Sequence, residues 1–146
     1  MRANAFVILY LAALLPACGK SQTAPSPATL TGSWRATRAE YVSRTNSNVR
    51  TEIVSRGTVL VLTLNADHSY ALAITDPGQA GNLLGGTWSS SSDVLTLKQT
   101  GVSGETEFDM VLSGNTLTLT GGHVLYDIEG DGIFDECVLN ATFARQ

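Results

Sequence analysis

The segment "YDIEGDGIFDE", residues 126–136, packs five acidic side chains and two glycines into eleven positions. Asp127, Glu129, Asp131 and Asp135, with Gly132 between the last two, follow a D-x-[D/N]-x-D-G spacing. In that pattern alternate carboxylates, and a backbone carbonyl beyond the glycine, converge on a hard cation. Two positions depart from it: Glu129 is longer than the usual Asp or Asn, and Val138 stands twelfth, where a bidentate glutamate closes the cage. A solvated hairpin with Gly130 and Gly132 at positive φ would use the same residues. The expectation is a surface hairpin that holds one calcium weakly, takes no part in catalysis and needs no cofactor.

The rest of the chain offers little for catalysis. Ser103 sits in "GVSGE", which is not Gly-x-Ser-x-Gly, and no strand-to-helix turn presents it. The glycines of "GQAGNLLGG" precede no helix N-terminus that could take a phosphate. His68 falls in a hairpin turn and His123 opens a strand, so each reads as a surface histidine. A non-enzymatic protein is expected. The acidic spacing itself resembles the calcium loops of EF-hands and dockerin-like repeats, with strands in place of the flanking helices.

The chain opens on "MRANAFVILYLAALLPACGK": a basic Arg2, an apolar run from Ala5 to Leu15, then small residues before Cys18. A run this short cannot cross a bilayer core, which takes about 20 apolar residues, so it reads as an export signal over residues 1–17. Leu15-Pro16-Ala17-Cys18 resembles the lipobox of bacterial lipoproteins. That resemblance implies a diacylated, N-acylated Cys18 as first mature residue and a membrane partner reached through the lipid. The protein would then lie in the bacterial cell envelope, at the outer membrane or cell surface more than at the inner membrane. Ordinary secretion with a free Cys18 is the alternative.

Residues 18–29 continue as a Pro/Ser/Thr linker, expected to be flexible. With Cys18 lipidated, Cys137 has no partner for a disulfide, and its alternation with Leu139, Ala141 and Phe143 places it on the apolar face of a strand. Loss of Arg2 with the signal takes the formal charge from −4 to −5. Residues 93–146 hold two Lys/Arg against nine Asp/Glu, a balance that excludes nucleic acid as partner.

From residue 30 to 146 apolar and polar residues alternate between Gly, Asn, Asp and Ser turns, the pattern of antiparallel strands. Leu60, Leu62 and Leu64 face one way and return as Tyr70, Leu72 and Ile74; Phe108, Met110 and Leu112 return through Gly114-Asn115 to Leu117 and Leu119. Further strands are expected over 32–43, 49–55, 85–91, 94–100, 116–120, 123–129 and 136–145. About eight to ten strands, each with one dry face and no helix among them, predict an all-β, antiparallel up-and-down barrel. A mobile loop from Asp76 to Leu84 is expected as a lid or contact loop.

"LTGSWRAT" resembles the opening strand of lipocalins and lipocalin-like barrels, with Gly32-x-Trp34 as their G-x-W and Arg145 where they carry an arginine over that tryptophan. "LTLNADHSY" and "GGTWSSSSDVLTL" are similar to repeated phrases of bacterial lipocalin-like domains. The resemblance implies a barrel that binds a small hydrophobic ligand without catalysis. Trp34, Tyr70, Trp88, Phe108 and Tyr126 are the expected ligand-lining residues. The alternative is a filled-core interaction module, an inhibitor or assembly factor that works through its surface and loops; the sequence assigns it no protein partner.

Overall fold

The computed structural model describes residues 24–146. The signal-like segment and Cys18 lie outside them. One helical turn, α1 (Pro27–Leu30), leads into β1 (Gly32–Ser43), β2 (Arg50–Glu52), β3 (Val59–Leu64), β4 (Ser69–Thr75), β5 (Asn82–Ser91), β6 (Val94–Gln99), β7 (Thr106–Ser113), β8 (Thr116–Tyr126) and β9 (Asp135–Arg145). From β3 onward each strand pairs antiparallel with the next in sequence, and β1 pairs with both β3 and β9. The β1–β9 ladder runs from Trp34↔Arg145 to Ser43↔Cys137. Eight strands therefore close an up-and-down barrel, as the alternation predicts. Short β2 extends the β3 edge of β1 at Glu40–Val42.

Closure follows from the alternation. Leu60, Leu62 and Leu64 point inward from β3, Leu95 from β6, Met110 from β7, Leu117 and Leu119 from β8, and all are buried. Between them lie outward residues such as Glu107, Asp109 and Thr120, which stay in water. Closure leaves no free edge along most of the wall, which removes the unpaired strand that edge-to-edge pairing needs.

Four details differ from the sequence expectation, each for a local reason. Segments 116–120 and 123–129 are one strand, β8, because Gly121 and Gly122 form a bulge between Leu119 and Gly122 and not a turn. Gly121 takes φ +80°, and its N–H is held by Asn140 Oδ1 at 3.0 Å. Segment 49–55 pairs only over β2, since Glu52 diverts the backbone that follows. The 76–84 loop is shorter than expected, because β5 already pairs at Asn82↔Ile74. Lastly, α1 stands where linker was expected, and Leu30 at its end is fully buried.

Glu52 accepts backbone N–H groups of Ala39, Val54 and Ser55 at 2.9, 3.1 and 2.6 Å. It thereby folds residues 53–58 back over the barrel, where Ile53 and Thr58 are buried. Desolvation pushes the Glu52 carboxyl up, but these hydrogen bonds outweigh it and hold it at about 2 against an ordinary 4.5. A carboxyl depressed by folding adds stability above its ordinary value and loses it as pH falls through the folded one. Acid melting of the wild type should therefore steepen between about pH 4.5 and 2, and Glu52→Gln should flatten that slope. Identical melting curves for the two proteins across this window would show that Glu52 carries no such linkage.

Candidate ligand site at the open end of the barrel

One end of the barrel is a floor. It gathers α1, the β3–β4, β5–β6 and β7–β8 hairpins and the C-terminus, with Gly32 opposite Leu64 and Trp34 opposite Arg145. Trp34 is fully buried, donates Nε1–H to the Leu30 carbonyl at 2.8 Å, and lies under the Arg145 guanidinium at 4.1 Å. Arg145 also donates to the carbonyls of Thr29 and Thr31, so one cation ties α1, the indole and β9 together. Gly32, at φ +132°, leaves room for that guanidinium: a Cβ there would sit 2.8 Å from Arg145 Nη1. Trp88 closes the same end, donating Nε1–H to the Asn65 carbonyl at 3.0 Å, with the His68 ring 5.1 Å from its own.

Above the floor two rings fill the spaces of two inward-facing glycines. Tyr70 covers Gly86 and Phe108 covers Gly122, close enough that a Cβ at either glycine would overlap the ring. Trp34, Trp88, Tyr70 and Phe108 are thus packing for the lower barrel, and all four are buried. Burial raises the Tyr70 hydroxyl pKa.

The other end is a mouth, bounded by residues 44–49, 53–58, 76–81, 100–105 and 127–134. Here the inward residues Leu72, Ile74, Leu97 and Val124 pack on the core but remain partly exposed. Tyr126, the last residue of β8, stacks on Tyr41 of β1 with ring centroids 3.8 Å apart and planes 4° apart. The stack crosses the inner face of β9, above the fully buried Cys137, whose thiol lies 3.9 Å from the Tyr126 carbonyl. Burial raises the Tyr41 hydroxyl to about 12, helped by Tyr126, Asp76 and Cys137. Burial and Asp76 likewise raise Tyr126. Asp76 accepts from Thr58 Oγ1 at 2.6 Å, which fixes that negative charge beside the mouth.

Of the five expected lining residues, the structure places only Tyr126 at the mouth. Tyr41 was absent from that set, for a legible reason. Inward residues of β1 run Trp34, Ala36 and then Ala39, Tyr41, because a bulge between Ala36 and Arg38 shifts the alternation by one. Strict period-two reading therefore turns Tyr41 outward.

The acidic segment is a loop between β8 and β9. The Asp127 carboxylate accepts N–H groups of Gly130, Asp131 and Gly132 at 2.7, 3.0 and 2.9 Å, and Asp131 accepts that of Ile133 at 2.9 Å. Gly130 and Gly132 take φ +76° and +85°. Among the described residues, no three His, Cys, Asp or Glu side chains converge as a metal-holding group. Ile133 and Phe134 stand exposed at the loop's end.

Outside the wall, a groove of about 370 Å³ lies where β7 and β8 part beyond Asp109↔Thr120, lined by Glu107, Phe108, Gly121 and His123 among others. His123 is exposed there.

The protein is thus a closed antiparallel barrel, sealed at one end by a tryptophan under an arginine, with inward apolar residues partly exposed toward the other. The family model for the lipocalin-like domain matches residues 30–119, and the chain belongs to that family. The match spans β1 to the Leu119 bulge in β8; the remainder of β8 and β9 completes the barrel. No curated protein matches the chain.

Proposed function

We propose that this lipocalin-like protein binds a small hydrophobic molecule at the mouth of its barrel, without catalysis, while lipid on Cys18 holds it to a membrane of the bacterial cell envelope. The observation that supports binding is the contrast along the barrel axis: aromatic rings pack the lower half, while Leu72, Ile74, Leu97 and Val124 face inward yet stay partly open above it. Covering those apolar surfaces would drive association at roughly 25 cal/mol per Å² of area removed from water, before the costs of binding. Native mass spectrometry of protein extracted from membranes tests both halves of the reading. An acylated Cys18 together with a co-purifying apolar small molecule is the expected result; an unmodified Cys18 in membrane-free protein would remove the anchor.

A second reading, a contact module that works through its loops, draws on a different observation. Leu83, Val102, Leu125, Ile133 and Phe134 are exposed apolar side chains, and all belong to the mouth end. The acidic loop enters either reading as a weak calcium site. Asp127 already orders the backbone, and a cation would relieve repulsion among the carboxylates around it. Several millimolar calcium should raise the melting temperature by about 2–4 °C over chelator, and Asp131→Asn should lose the rise. An unchanged wild-type melting temperature would leave the loop a charged turn.

A further inference from the structure

We propose that Tyr41 and Tyr126 form a slot for a flat aromatic ring, with Tyr41 as the fixed stacking face and Tyr126 as a cover that the ligand displaces. This names a ligand class for the mouth and rests on the binding reading above. The two tyrosines differ in how firmly they are held. Tyr41 is 8% exposed, on a stretch of β1 paired with β2 on one side and β9 on the other. Tyr126 is only partly buried and ends its strand. The upper half of β8, from Gly122 to Tyr126, is hydrogen-bonded to β9 alone, because its ladder with β7 stops at Asp109↔Thr120. Among the described residues, that gap is otherwise crossed by the packing of Phe108 on Gly122 and a 3.4 Å hydrogen bond from Thr106 Oγ1 to the His123 carbonyl. A strand end held on one side opens more readily than one held on both.

The geometry of the stack points to the ligand. Parallel rings at 3.8 Å present Tyr41 as a flat, buried face, and a conjugated ring that replaces Tyr126 recovers the same contact. Swinging Tyr126 outward also uncovers the upper interior beside Val124. Asp76 and Asp127 make the surroundings of the slot negative, opposed by Arg56.

The test compares a flat probe, N-phenylnaphthylamine, with an aliphatic one, decanol, on the mature chain and its Tyr41→Leu, Tyr41→Phe and Tyr126→Leu variants. Tyr41→Leu should weaken the aromatic probe about tenfold and decanol less than about twofold, while Tyr41→Phe keeps both. Tyr126→Leu should speed association of the aromatic probe about tenfold. Equal losses for both probes in Tyr41→Leu, or an unchanged association rate in Tyr126→Leu, overturn the slot. Should Tyr41→Leu fail to fold, NMR of wild-type protein with ring-labelled tyrosine decides. The aromatic probe and not decanol should remove the mutual ring-current shifts of the pair, and shifts that persist at saturation overturn the proposal. Decanol binding without aromatic binding would leave the binding reading standing and end the slot. Neither probe binding would end both.

Discussion

Trp34→Ala should lower the unfolding free energy by about 3–5 kcal/mol, the range for truncating a buried aromatic in a core that cannot collapse around the gap. Collapse is restricted here because the indole is held from three sides. Its Nε1–H is bonded to Leu30, its face lies under Arg145, and Leu62 stands opposite it on β3. The truncation also leaves the Leu30 carbonyl without its indole partner and the guanidinium over a void. Arg145→Ala should cost less, since it removes the cation–π contact, about 0.5–2 kcal/mol, and two hydrogen bonds, but leaves the plug in place. Chemical denaturation measures both. A loss under about 1 kcal/mol for Trp34→Ala would mean that the floor is held by something other than this side chain.

Gly122→Ala should cost about 1–3 kcal/mol, from overpacking. An added Cβ would fall 2.0 Å from Phe108 Cε1, so the ring or the bulged strand must move. Because the obstacle is a side chain, Phe108→Leu in the same protein should recover part of the loss. Gly86→Ala makes the contrasting case. Its Cβ would fall 2.0 Å from the Lys98 carbonyl oxygen, a backbone atom of the paired strand, as well as 2.9 Å from the Tyr70 ring. Tyr70→Leu therefore should not rescue it, and the β5–β6 ladder must give. The measurement is a double-mutant comparison of denaturation midpoints for each pair. Wild-type stability for Gly122→Ala, or equal rescue in both pairs, would contradict the packing described.

Much of this molecule is legible in the amino-acid order because strand alternation is a local property. Leu60, Leu62 and Leu64 turn inward for the same reason that any residues two apart share a face, and their return through Tyr70 is set by a short turn. The Gly114 turn, at φ +58°, is equally local. The Cys137 side chain was placed on a dry face by its neighbours alone, and it is fully buried. Local reading failed where a bulge moved the phase. The irregularity after Ala36 hid Tyr41, and the Gly121-Gly122 pair looked like a turn because both turns and bulges use glycine at positive φ. Of the candidate site, the sequence offered Tyr126 but not Tyr41, and it did not give the levels of its five aromatic residues along the barrel. Four of the five proved to be packing for its lower half.

The acidic loop divides in the same way. Its glycines and carboxylates specify a tight, charged connection, and the structure adds that Asp127 turns its oxygens onto its own backbone.

The sequence by itself determined the strand pattern and the turns, since each depends on residue type and near neighbours, while the tryptophan and arginine of the floor were implied by the resemblance to lipocalins. Only the tertiary structure decided that β9 returns to β1, that Arg145 reaches Trp34 over a span of more than a hundred residues, and that Tyr41 meets Tyr126. Those contacts depend on the stagger of eight ladders and on two bulges. No window of local sequence records that sum, because a shift of one residue in any strand turns every later side chain to the other face.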